Sequence, residues 1–159
     1  MKKWFRTALL LATVIALGAC SDKEKTPDPG LEVTVSNIAG TWRLATWNDG
    51  LPLEEGTYVY LELTRRDRTF TLYENLGSFV ATRKSGIFNL DIDEELGAVI
   101  RGQYDYGNGD WRHRYIISRL TADSMTWVAK DDPTDVSVYE RCEAVPDEIL
   151  AETGANGEE

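Results

Sequence analysis

Cysteine is nearly absent from this chain: Cys20 and Cys142 are the two in 159 residues. At most one disulfide could form, so stability has to come from a packed core and not from a disulfide framework. Histidine is scarcer, with His113 alone. A multi-histidine metal site cannot be built, and His113, close to Asn108-Gly109, reads as structural. Basic charge is also short, with 17 lysines and arginines against 27 acidic residues and a net charge of −10. Such a surface repels phosphate backbones and anionic headgroups, which argues against nucleic acid and against electrostatic membrane binding. No apolar run approaches the roughly 20 residues of a spanning helix. Gly-x-Ser-x-Gly, Gly-rich phosphate loops and Cys-x-x-Cys are missing. Two acidic groups, Asp91, Asp93 and Glu95, and Asp131, Asp132 and Asp135, lack the glycine-turned spacing of a calcium loop. The expectation is a non-enzymatic protein without cofactor or bound metal.

What is present begins with a positive start at Lys2, Lys3 and Arg6, followed by about a dozen low-polarity residues over 8–19. That run is too short to span a bilayer, so residues 1–19 read as a cleaved signal peptide. Leu17-Gly18-Ala19-Cys20 resembles the lipobox of bacterial lipoproteins. The resemblance implies diacylation of the Cys20 sulfur, cleavage after Ala19 and N-acylation of the new terminus. At roughly 0.8 kcal/mol per buried CH₂, several acyl chains anchor the protein to a membrane without help from charge. Loss of Lys2, Lys3 and Arg6 leaves 14 basic residues against 27 acidic ones, a net of −13. With Cys20 acylated, Cys142 has no disulfide partner, and its apolar alternation in the last strand reads as a small buried residue. Ser21 stands where aspartate would resemble an inner-membrane retention signal. The outer membrane is therefore expected, on its periplasmic face or at the cell surface.

Residues 20–36 read as the lipidated cysteine and a flexible tether. The charged, proline-punctuated stretch over 21–34 separates domain from membrane by roughly 20 Å. One helical turn is expected over 35–39, capped by Ser36 or Asn37. Beyond Thr41 the hydrophobic period is two, over 42–48, 57–64, 69–74, 79–91, 97–106, 111–120, 124–130 and 135–142. Eight strands joined by short turns predict an all-β domain over 37–145, an eight-stranded antiparallel up-and-down barrel, with a flattened β-sandwich as the alternative. Gly86 predicts a bulge or a kink at a barrel corner, and Asn108-Gly109 a type I′ hairpin. Residues 146–159 read as an acidic tail with one short helix over 147–152 and disorder beyond it.

Four short motifs carry a resemblance: Gly40-Thr41-Trp42, Ser85-Gly86-x-Phe88-x-Leu90, Leu120-Thr121-x-Asp123-x-Met125 and Tyr139-Glu140-Arg141. Across residues 38–142 the chain is similar to the small lipocalin-like lipoproteins of Gram-negative bacteria. The resemblance implies a barrel closed at one end by Gly40 and Trp42 under Arg141, a cation–π contact of about 2 kcal/mol. If Arg141 and Tyr139 face inward, Val136 and Val138 face outward, so either a bulge intervenes or that pairing fails. The resemblance also implies a small hydrophobic ligand. Leu44, Leu61, Phe70, Phe88, Tyr115 and Trp127 have inward parity, and would line a cavity or simply fill the core. Trp47, Tyr58, Tyr60 and Tyr73 have outward parity, which fits either a docking face for a protein or glycan or plain cross-strand pairing.

Overall fold

Alternation of apolar and polar residues becomes a pleated surface with one wet face, and short polar turns stack these surfaces antiparallel. A computed structural model describes residues 30–154 apart from Asp49 and Ser78. The expected signal peptide, Cys20, tether residues 21–29 and tail residues 155–159 lie outside the described residues. The order is α1 (Val35–Ile38), β1 (Gly40–Trp47), β2 (Leu51–Pro52), β3 (Val59–Leu63), β4 (Thr69–Glu74), β5 (Thr82–Asp93), β6 (Gly97–Tyr104), β7 (Tyr115–Ser118), β8 (Ser124–Ala129), β9 (Asp132–Cys142) and α2 (Asp147–Glu152). Each of β3 to β9 pairs with its sequence neighbour, β1 pairs with β3, and β9 returns to β1. Eight antiparallel strands thus close a barrel, and closure excludes the flattened sandwich. The two-residue β2 is an extra strand on the far half of β1.

One end is closed by Trp42, which is fully buried. Its indole donates to the Ile38 carbonyl at 2.8 Å, and the Arg141 guanidinium carbon lies 4.0 Å from the ring centroid. Arg141 also donates to the carbonyls of Ala122, Ala39 and Asn37 at 2.7, 2.8 and 2.8 Å. Gly40 makes room for this: its φ is 133°, and a Cβ there would overlap the Arg141 side chain. α1 is capped by Thr34, whose hydroxyl accepts from the Asn37 amide, and not by Ser36 or Asn37 as expected. The segment ahead of it is no free tether either. Leu31 donates to the Leu120 carbonyl at 2.6 Å, and Val33 and Val35 pack against the core. Residues 31–35 therefore belong to the packed domain.

The last strand needs neither alternative, since Arg141 lies over Trp42 while Val136 and Val138 face outward, and a bulge lies instead in β1. Leu44 pairs with Tyr139 but Thr46 pairs with Val138, which leaves Ala45 extra. β9 keeps its alternation, with Ser137 and Tyr139 buried and Val136 and Val138 on the other face. The extra residue also turns Trp47. It pairs with Ser137 at the rim of the open end, and its indole donates to Asp135 at 3.0 Å.

Gly86 is neither a bulge nor a break, since β5 stays in register with β4 and β6 through it. A Cβ at 86 would overlap the Gln103 carbonyl oxygen and come within 2.8 Å of Phe70. Glycine is needed there for close approach. The expected hairpin at Asn108-Gly109 is replaced by a 3-10 turn over Asp105–Gly107, with Tyr106 at φ 60° and Asn108 at φ −75°. A type I′ turn requires positive φ at both central residues, which Asn108 does not have. The expected strand over 111–120 shrinks to β7. Trp111 hydrogen-bonds back to Gly102 at 2.9 Å, and its ring occupies the space that a Cβ at Gly102 would fill.

The outward aromatic face is covered by the chain itself. From α2, Ile149 and Leu150, with Val145 ahead of it, pack on Tyr58, Tyr60 and Tyr73, and Tyr73 is 4% exposed. Tyr73 donates to Glu62 at 3.1 Å. The first part of the expected acidic tail is therefore a structural strap. Trp47, by contrast, stands alone at the rim.

Candidate functional site

The inward faces meet in one mostly filled interior with a small hollow of about 160 Å³. Of the six expected lining residues, Leu61, Phe70, Tyr115 and Trp127 border it. Leu44 and Phe88 are buried in the core but do not reach it. Leu72, Tyr104, Trp111, Arg112, Ser137 and Tyr139 complete the wall. Trp111 and Tyr104 escaped the sequence reading, although extending the parity of Tyr115 back four residues finds Trp111. What hid it was the expectation of a turn nearby.

These rings form a connected set. Phe70 meets Trp111 edge-on at 4.9 Å and Tyr104 at 5.6 Å. Trp127 lies 5.7 Å from Trp111, 5.5 Å from Tyr115 and 5.1 Å from Tyr139. Such tilted and edge-on pairs each add about 0.5–1.5 kcal/mol beyond area burial, so the wall is stiff. The Trp127 indole is satisfied internally by the Met125 sulfur at 3.2 Å. Burial pushes the Tyr115 phenol up to about 12. It also raises the Tyr139 phenol strongly and the Tyr104 phenol to a lesser degree. All three are therefore neutral near pH 7. Ser137 is the hydrogen-bonding neighbour of Tyr139.

Size decides what this hollow can take. Ordinary ligand pockets begin at about 300 Å³, whereas an apolar cavity of about 150 Å³ accepts benzene. The hollow therefore has room for one ring or a short aliphatic group, not for a whole lipid.

The acidic groups are engaged within the fold. Asp93 is held below the usual carboxylate range by the amides of Glu95 and Leu96, Asp131 by His113 and Asp132 by Thr134. Asp91 pairs with Arg101 at 3.1 Å. Among the described residues no group of three or more His, Cys, Asp or Glu could hold a metal ion. The Cys142 thiol is half-buried, and burial pushes it up, away from the reactive thiolate. No family model matches the chain, and no curated protein matches it.

Proposed function

We propose that this is a lipid-anchored, lipocalin-like binding protein of the outer membrane that holds the apolar end of a small ligand at its barrel's open end. The observation that carries the reading is the aromatic hollow bounded by Trp111, Tyr115 and Trp127, with polar groups from Ser137, Tyr139 and Arg112 on the same wall. Supporting rings are stiff, and a preformed apolar niche binds without much ordering cost. Docking of a protein or glycan through outward aromatics is the weaker reading, because α2 covers Tyr58, Tyr60 and Tyr73.

Tryptophan fluorescence and thermal melts with ring-sized probes such as phenol and indole test the hollow. At 100-fold excess over Kd, a bound probe stabilises the fold by about 2.7 kcal/mol, which raises Tm by several degrees. Leu72→Phe puts a larger group into the hollow and is expected to abolish that rise, while costing about 1–3 kcal/mol of its own. Trp111→Leu enlarges the hollow and is expected to admit larger probes. An unchanged response in both variants would overturn the assignment. The anchor has a separate test: Cys20→Ala is expected to move the protein from the membrane to the soluble fraction, and continued retention would contradict lipidation at that residue.

A further inference from the structure

A second, larger space lies outside the barrel. Where residues 111–114 lift away from β6, a cleft of about 610 Å³ opens beside Asn89, Arg101 and Gln103. Asn89, Arg101 and Gln103 alternate with the buried residues Phe88, Ile100 and Gly102, so they face away from the core. The other wall is Arg112, His113 and Arg114, with Lys130 and Asp131 from the turn between β8 and β9.

The charge of this cleft contradicts that of the chain. In a protein of net charge −10, four of the 17 lysines and arginines line one cavity, against the carboxylates of Asp110 and Asp131. Three of its basic groups are engaged. Arg101 pairs with Asp91 at 3.1 Å, Lys130 with Asp93 at 3.3 Å, and His113 Nδ1 with Asp131 at 2.7 Å. Asp110 accepts from the Gln103 amide at 3.3 Å. Arg112 and Arg114 have no side-chain hydrogen bond or ion pair among the described residues, and both line the same space. Two unneutralised guanidiniums two residues apart repel each other unless an anion lies between them. Their planar donor forks match an oxyanion with several oxygens. Trp111 borders both the cleft and the hollow, so a flat or apolar group next to the anion would meet an indole.

The geometry points to an anion site in this cleft, in which Arg112 and Arg114 grip the phosphate of an amphipathic phosphomonoester while Trp111 borders its apolar part. The two unpaired arginines outnumber Asp110, the cleft's one carboxylate without a cationic partner among the described residues, and screening confines the chain's overall repulsion to about a Debye length, about 8 Å at physiological salt. The phosphate could be carried by a soluble ester or by a lipid headgroup, and the two sources separate experimentally. The site shares Trp111 and Arg112 with the wall of the hollow, but Arg114 lines only the cleft and Leu72 only the hollow, so substitutions at those two positions let each reading fail alone.

The test uses the mature chain over 20–159 carrying Cys20→Ala, so that neither an acyl anchor nor the signal peptide holds it to vesicles. Calorimetry with phenyl phosphate is expected to show saturable binding that weakens as salt rises. Arg112→Gln with Arg114→Gln is expected to weaken it at least tenfold, whereas Leu72→Phe leaves it unchanged. Co-sedimentation with phosphatidic acid vesicles, lost in the double variant and absent with phosphatidylcholine, supports the site with a headgroup as source. Phenyl phosphate binding without vesicle binding supports it with a soluble ester as source. The proposal is overturned if neither probe binds, or if the double variant, shown to be folded by its melting curve, binds both as well as the parent.

Discussion

Arg141→Ala is expected to lower the unfolding free energy by about 3–5 kcal/mol. A desolvated cation–π contact is worth about 2 kcal/mol, and Arg141 stacks on Trp42 at 4.0 Å. The substitution also leaves three carbonyls, those of Ala122, Ala39 and Asn37, without their donor. An orphaned buried acceptor costs about 1–3 kcal/mol, and water reaching this half-buried rim offsets part of that. Three chain segments would lose their common tie: the turn before β8, the entry to β1 and α1. Arg141→Lys keeps a cation over the ring but has no planar fork to reach three carbonyls, and is expected to lose about half as much. Guanidinium melts of the three proteins check this. A loss below about 1 kcal/mol for the alanine variant would mean that Trp42 alone closes the barrel.

Raising the pH from 9 to 12 is expected to destabilise the barrel steeply. In the folded protein the Tyr115 phenol is pushed up to about 12 by burial, against about 10 in an unfolded chain. Below pH 10 both states keep the proton and stability is intact. Between pH 10 and 12 the unfolded chain releases it first and so binds fewer protons, and stability falls with pH. The difference between the folded and unfolded phenol sets an upper bound of about 2 kcal/mol lost from this group by pH 12, and solvent reaching the partly exposed ring screens part of it. Tyr139, raised further by its own burial, acts in the same direction. Denaturant midpoints measured from pH 9 to 12 are expected to fall. Tyr115→Phe with Tyr139→Phe should flatten that slope. A parent midpoint that stays level to pH 12 would contradict the buried placement of these phenols.

Strand number and closure were legible because alternation is a local signal that the core enforces repeatedly. Trp42 over Arg141 was legible through short motifs whose spacing sets the closed end. The failures share a cause, which is that one residue's place was decided by a distant partner. Ala45 is an ordinary residue, and only the pairing of β1 with β9 makes it the bulge that turns Trp47 to the rim. Asn108-Gly109 carries a strong local hairpin signal, yet Trp111 is drawn against Gly102, and the turn takes the form that this allows. The tyrosines at 58, 60 and 73 read as an open face because the strap that covers them is acidic, short and far along the chain. In the candidate site, parity found Leu61, Phe70, Tyr115 and Trp127, while Leu72, Tyr104, Ser137 and Tyr139 on regular strands and Trp111 and Arg112 on irregular backbone were not among the expected lining residues.

Native mass spectrometry of the protein extracted from its own membranes tests the central claim most directly, that the open-end hollow holds a ligand. The parent is expected to carry a co-purifying small molecule in addition to its acyl chains, and the Leu72→Phe protein is expected to show the acylated mass alone. A parent that carries no such adduct, or a Leu72→Phe protein that retains it in full, would contradict binding in the hollow.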